Sequence, residues 1–240
     1  DQWHTMSRTG KASKLTAHTD KCYIYVNPDD AEQLNLADNE IVNVSSSTGQ
    51  ATVNIKLDKN QRANECFMPI HWNKQFASSA NVSDLYASIA DPISGQPESK
   101  HGAIALSKTS FKQFGQLHIS EDFIVQTKLN NEFWSKARTS YGMSFHFANT
   151  ELETDILNWC QIISHISGEW MQFTQGSSSY VICLQEGKLV FLCYIAEQLG
   201  DSLKCGTNCG SCKSELSVLL SEHKVSPESV IETTQLEESL

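Results

Sequence analysis

Three cysteines stand within nine residues in KCGTNCGSC (204–212), at Cys205, Cys209 and Cys212, separated by Gly, Thr, Asn and Ser rather than by apolar residues. Such a run suits metal or redox chemistry better than core packing. On the residues alone an iron–sulfur site, a zinc site and a redox-active C-x-x-C all remain open. A second cluster, DQWHTMSRTGK (1–11), gathers Trp3, His4, Thr5, Ser7, Arg8, Thr9 and Lys11 without a helical or strand period. Hydroxyls, a ring nitrogen and cations at this density suit a phosphate-rich ligand, because hydroxyls and backbone N–H groups cap oxygens and Arg offers a two-pronged fork. A solvated basic segment is the plainer alternative. A third group lies at 68–102. There His71 and Trp72 end a strand-like run, Asn81 follows, and the Pro- and Gly-bearing stretch DPISGQPESK closes on Lys100. A lone His in such a place is more readily a core residue than a ligand contact, and composition does not settle it.

The elements that must position these groups fall into regions. Residues 1–108 hold four of the five prolines and read as β-rich. CYIYV (22–26) is strand-like, and NPDDAEQLNL (27–36) reads as a short helix with Asn27 as N-cap and Pro28 at the first helical position. EIVNVSS and ATVNIKL alternate apolar and polar residues around a Ser-Thr-Gly turn, the pattern of paired strands. ECFMPIHW (65–72) reads as a buried strand. Strands with a short helix between them suggest a compact barrel in an α+β fold.

Residues 109–196 read as a linker region with one helix and one hairpin. TELETDILNWCQIISHI (150–166) opens on a Thr150…Glu153 capping box and carries Leu152, Ile156, Trp159, Cys160, Ile163 and Ile166 at helical spacing. SYVICLQEGKLVFLCYI (179–195) is two β runs around QEGK. Residues 197–225 read as a short helical Cys-rich module, and 226–240 as an acidic tail with the composition of a disordered segment.

Composition sets outer limits. The chain of 240 residues carries a net charge of −10, which disfavours nucleic acid and membrane surfaces as partners. Its longest purely apolar run is LVFLCYIA (189–196), against the roughly 20 residues of a bilayer-spanning helix. The other five cysteines, Cys22, Cys66, Cys160, Cys183 and Cys193, are scattered singly. That spacing argues against a disulfide framework and for a reducing compartment.

Four blocks, DQWHTMSRTGK, FMPIHW, SANVSDLYASIADPISGQPESK and LKCGTNCGSC, resemble in that order the C-terminal portion of assimilatory nitrate reductase catalytic subunits, within the molybdopterin-dinucleotide oxidoreductase family. The resemblance is specific over about residues 1–106 and loose over 109–196. It implies a double-psi β-barrel for the first region, holding part of a bis(molybdopterin guanine dinucleotide) molybdenum cofactor. The positions it carries over are Trp3, His4, Thr5, Ser7, Arg8, Thr9, His71, Trp72, Asn81 and Lys100. The family's pattern usually has Thr where this chain has Ser7; a hydroxyl remains.

The last block resembles a bacterioferritin-associated-ferredoxin-like module, which implies a [2Fe–2S] cluster with Cys205, Cys209 and Cys212 among its ligands. Two thiolates of that module come from a C-x-C, and this sequence contains none. LCYIA runs straight into EQLGDSLKCG, as though the bearing segment were missing, and Cys193 is the nearest candidate for a fourth ligand. Further implications are two-electron reduction of nitrate to nitrite, a cytoplasmic setting, and an electron donor such as ferredoxin, flavodoxin or a nicotinamide-linked reductase. The molybdenum-ligating and [4Fe–4S] regions of the family match nothing here, so the chain resembles a portion of the enzyme. The rival readings are a non-catalytic remnant, a periplasmic-type nitrate reductase or formate dehydrogenase, and a thiol or zinc module.

Overall fold

The computed structural model of the chain describes residues 6–16, 19, 21–96, 101–123 and 129–197. They form two compact units. The first takes the described residues of Asp1–Phe111 together with Glu132–Ala137, and the second takes those of Lys112–Asn131 and Arg138–Leu240. Both are mostly β with few helices, so the expected α+β balance tilts further toward strands.

In the first unit the short helices α1 (Met6–Thr9) and α2 (Ser13–Thr16) precede β1 (Tyr23–Val26), α3 (Pro28–Gln33), β2 (Ile41–Ser45), β3 (Gln50–Leu57), β4 (Cys66–Phe67) and β5 (Ala105–Lys108). The sheet order is β4-β1-β3-β2-β5. β1 and β3 run parallel, Tyr23 opposite Asn54 and Val26 opposite Leu57. A parallel pair needs a crossover between its strands, and α3 with β2 supplies it. The expected cap of α3 is present: the Asn27 side-chain oxygen accepts the Asp29 N–H at 2.9 Å, with Pro28 where an N–H is not needed. The expected β2–β3 pair is also present, with Val42 opposite Val53 and Val44 opposite Ala51. Ile24, Val26, Val42, Val44, Val53 and Ile55 are all fully buried and form the unit's core with Trp72 and Phe76.

ECFMPIHW departs from its expected form. Only Cys66–Phe67 pairs, at the sheet edge, and both residues are exposed. Pro69 offers no N–H to a ladder, and His71 takes a left-handed φ of 77°, so the extended run cannot continue.

Within the stretch 109–196, the described residues of the second unit hold the expected helix and hairpin and three strands besides. The strands are β6 (Gln113–Ser120), β8 (Gly142–Asn149), β9 (Glu169–Gln175), β10 (Ser178–Gln185) and β11 (Lys188–Ala196), in the sheet order β8-β6-β11-β10-β9. Strand β7 (Phe133–Arg138) belongs to the first unit through its residues 133–137. The β10–β11 turn falls on Glu186 and Gly187, with φ of 53° and 77°, the paired left-handed residues that match strand twist in a two-residue hairpin.

Helix α4 (Ile156–Ser164) starts later than the capping box predicts. Asp155 is the cap, its carboxylate accepting the Asn158 N–H at 3.2 Å. Glu153 is engaged elsewhere: its carboxylate accepts the Asp155 N–H, and its backbone exchanges two hydrogen bonds with the Gln113 side chain. Ile156, Cys160, Ile163 and Ile166 are buried as the spacing predicts, and Trp159 lies against Phe147 at 5.2 Å between ring centroids. Leu152 falls before the helix and is exposed. No helix among the described residues is long and apolar enough to cross a membrane.

Candidate functional site

The opening block is described from Met6 onward. Its first turn, α1, buries Met6 and Thr9 and leaves Ser7 exposed. The Gly10 N–H then donates to the Met6 carbonyl at 2.8 Å. A Cβ on Gly10 would stand 2.5 Å from the Phe76 ring and 2.6 Å from the Met6 carbonyl oxygen, so glycine here is what lets the block lie directly on Phe76. Trp3, His4, Thr5 and Lys100, and the side chain of Arg8, lie outside the described residues.

Phe76 is held by a local turn. The Asn73 carbonyl accepts the N–H groups of Phe76 and Ala77 at 2.9 and 3.0 Å, while its side-chain oxygen accepts the Gln75 N–H at 2.9 Å. The turn sends Trp72, Phe76 and Ala77 into the same core cluster as Met6. Trp72 is 1 % exposed, and its indole N–H has no acceptor among the protein groups. A sealed donor without an acceptor is rare and destabilising by about 1–3 kcal/mol. His71, beside it, is exposed and keeps its left-handed backbone, a strained state of the kind that collects at ligand sites.

The segment continues through Ser79, whose carbonyl accepts the Thr52 N–H at 2.9 Å, to Asn81. The half-buried Asn81 donates its amide to the Asp84 carboxylate at 2.6 Å, which fixes the amide's orientation ahead of a 3-10 turn at Val82–Leu85. Thr48, in the β2–β3 turn, donates to the Asp84 carbonyl at 3.2 Å. The Pro loop is built around Asp91, whose carboxylate accepts Ile93 N–H, Ser94 N–H and the Ser94 hydroxyl. These donors hold its carboxyl below the usual range. Gly95 provides the left-handed turn with φ 70°.

The structure therefore buries Thr9 and Trp72, leaves Ser7 and His71 at the surface, and ties Asn81 through Asp84 to the β2–β3 turn. It also brings in residues that the sequence reading missed. The Ser78 N–H donates to the Trp134 carbonyl at 2.8 Å, the Ser78 hydroxyl accepts the Trp134 N–H at 3.0 Å, and the Lys136 N–H donates to the Phe76 carbonyl at 2.7 Å. Ala77 and Ser135 form a bridge. FWSKAR alternates like any strand, and nothing local ties it to a turn more than fifty residues earlier.

Cys205, Cys209 and Cys212 lie outside the described residues. Cys193 is fully buried beside Cys160. Burial, and then a hydrogen bond between the two thiols, push its thiol well up, which makes it a poor thiolate ligand. Among the described residues no group of three or more His, Cys, Asp or Glu is placed to hold a metal.

Residues 1–103 match the family model of the molydopterin dinucleotide binding domain. A nitrate reductase from Klebsiella oxytoca is 27% identical, with 92% of this chain aligned to 32% of that protein. The assimilatory nitrate reductase catalytic subunit of Bacillus subtilis is 31% identical over 41% of this chain and 13% of its own length. An F420-dependent formate dehydrogenase subunit alpha from Methanocaldococcus jannaschii is 26% identical over 44% of this chain and 15% of its own length. The chain thus spans a third or less of these relatives. Over residues 1–103 the chain is thus similar to a molydopterin dinucleotide-binding domain, and its relatives include nitrate reductases.

Proposed function

We propose that this chain is the C-terminal, cofactor-clasping part of a molybdenum-dependent nitrate reductase of the assimilatory type. The observation that carries the reading is the convergence of two sequence blocks in the first unit: Gly10 lies against Phe76, in the turn that follows His71 and Trp72. The donors present there suit a dinucleotide. Thr9 and Ser7 offer hydroxyls, His71 a ring nitrogen, Asn81 an oriented amide, and the orphaned Trp72 N–H is the kind of donor that a ligand acceptor near its covering turn would satisfy. Trp3, His4, Thr5, Arg8 and Lys100 complete the proposed set, with Arg8 and Lys100 toward phosphate or pterin oxygens. The fold we read for this unit is a double-psi β-barrel, supported by the parallel β1–β3 pair with its crossover.

When bound, the molybdenum group supplies the two-electron chemistry that turns nitrate into nitrite. The residues of this chain bind and orient the dinucleotide. Nitrate as substrate is supported by the extent of the similarity: the Klebsiella relative aligns over both units, whereas the formate dehydrogenase relative aligns over fewer than half of the residues. Acid hydrolysis of the cofactor-loaded protein, with this chain joined to the upstream domains that its relatives carry, should release GMP, and reduced viologen should drive it to form nitrite from nitrate. GMP without nitrite moves the substrate to formate or another oxyanion, and absence of GMP sinks the dinucleotide reading.

We assign Cys205, Cys209 and Cys212 to a [2Fe–2S] site whose ligand set is incomplete in this chain, in a cytoplasmic enzyme supplied by ferredoxin, flavodoxin or a nicotinamide-linked reductase. The Klebsiella alignment runs over 284 positions against a chain of 240, so that relative carries residues this chain lacks, in keeping with the absent C-x-C. Iron and sulfide analysis of protein handled without oxygen decides this. About two irons per chain, lost in Cys209→Ser, would show that another thiol completes the set. Zinc or no metal would remove the electron-entry role.

A further inference from the structure

The sheet of the second unit ends on β9, and among the described residues no strand lies on its outer side. An edge strand presents a row of backbone N–H and C=O groups, and native sheets guard such edges with shortness, charge, proline or a bulge. The edges of the first unit's sheet are guarded in this way: β4 is two residues long, and β5 carries Lys108, paired with Glu40 at 3.5 Å. Strand β9 has none of these devices. It runs for seven residues, EWMQFTQ, pairs with β10 in unbroken register from Glu169 to Gln175, and holds one charge, Glu169, at its end. Trp170 packs on Phe191 on one face of the sheet, with ring centroids 5.1 Å apart, and Met171 and Phe173 join Ile182 and Leu192 on the other.

We propose that β9 is a self-association edge, through which two copies of this chain pair antiparallel and continue the sheet across a two-fold axis at Gln172. The strand's own sequence fits this occupant. With Gln172 opposite Gln172 of a second copy, all seven residues pair: Glu169 meets Gln175, Trp170 meets Thr174, and Met171 meets Phe173. Directly opposite residues share a face, so the apolar Met171–Phe173 stripe of one copy runs on into that of the other. No like charges oppose each other, since the two Glu169 carboxylates sit at opposite ends of the ribbon, about 20 Å apart at the usual rise of a strand. A two-fold axis makes the same patch serve both copies, which is the arrangement that a self-complementary strand satisfies. The net charge of −10 on each chain opposes the approach at long range, so added salt should tighten the dimer. The inference is independent of the cofactor reading.

The test is sedimentation equilibrium of the whole 240-residue chain from micromolar to millimolar concentration, with reductant present and in about 0.3 M salt to screen the net charge. The expected result is a reversible monomer–dimer equilibrium. Gln172→Lys sets two ammonium groups opposite each other at the axis and should weaken the dimer by about tenfold or more. Gln161→Lys, on the exposed surface of α4, should leave it unchanged. Hydrogen exchange should show β9 amides better protected at high concentration than at low, in the wild type and not in Gln172→Lys. If Gln172→Lys does not fold, as judged by its melting curve, Gln172→Glu answers the same question with two carboxylates. A chain that stays monomeric throughout, or a dimer that neither Gln172 variant moves, overturns the proposal. So does protection of β9 that appears only when the upstream domains of the relatives are joined to the chain, because that polypeptide would then occupy the edge.

Discussion

At the scale of single residues, His71 combines a left-handed backbone with an exposed ring. A non-glycine side chain in that region is strained by about 1 kcal/mol or more, and the surroundings must hold it there. His71→Gly should therefore raise stability in urea by about 0.5–1 kcal/mol while weakening GDP binding; equal GDP affinity would remove the ring from the ligand set. Gly10 gives the opposite case. Gly10→Ala places a methyl 2.5 Å from Phe76 and against backbone oxygen, and should destabilise by about 1–3 kcal/mol in the same assay. The residue types of the proposed site stand out in the sequence because hydroxyls, ring nitrogens and cations cluster in short blocks. Trp72, which the resemblance offers as a cofactor-binding residue, packs in the core beside the Asn73 turn, as the reading of 65–72 as buried implies for its side chain.

At the scale of elements, what could be read locally was read. Asn27-Pro28 announces α3 through a cap two residues long, and the Ser-Thr-Gly and Glu-Gly turns announce the β2–β3 and β10–β11 hairpins through the chemistry of the turn itself. Asn27→Ala should cost about 1 kcal/mol by chemical denaturation, from loss of the Asp29 cap together with the Asn27 amide bond to the Gln61 carbonyl. The start of α4 was misplaced for a comparable reason. Thr150 and Glu153 have the spacing of a capping box, but Gln113, from another strand, takes the Glu153 backbone, and the cap passes to Asp155. Strand β7 was illegible as part of the first unit. Its alternation predicts a strand, and only pairing across more than fifty residues assigns the partner.

At the scale of the whole molecule, the two units should answer acid differently, and His118 is the reason. It lies on β6 in the second unit, opposite Ser144 on β8 and Leu192 on β11, with the imidazole of His146 across from the neighbouring Gln116. Its Nε2 is sealed and without a partner, and burial lowers its pKa from 6.5 to about 4. The unfolded chain therefore takes up a proton at a pH where the folded unit resists it. Stability from the neutral imidazole is complete above about pH 6.5, declines as pH falls toward 4, and is then flat, with a total loss of at most about 3 kcal/mol. No comparable buried imidazole is described in the first unit, where His71 is exposed. Urea unfolding followed at pH 7, 5.5 and 4.5 should show the second unit weakening first, with hydrogen exchange of β6, β8 and β11 rising before that of β1 and β3. His118→Gln should start less stable at pH 7, and should flatten the pH dependence of the second unit. An unchanged slope in that variant would mean that other groups, with His146 the first to test, carry the acid response.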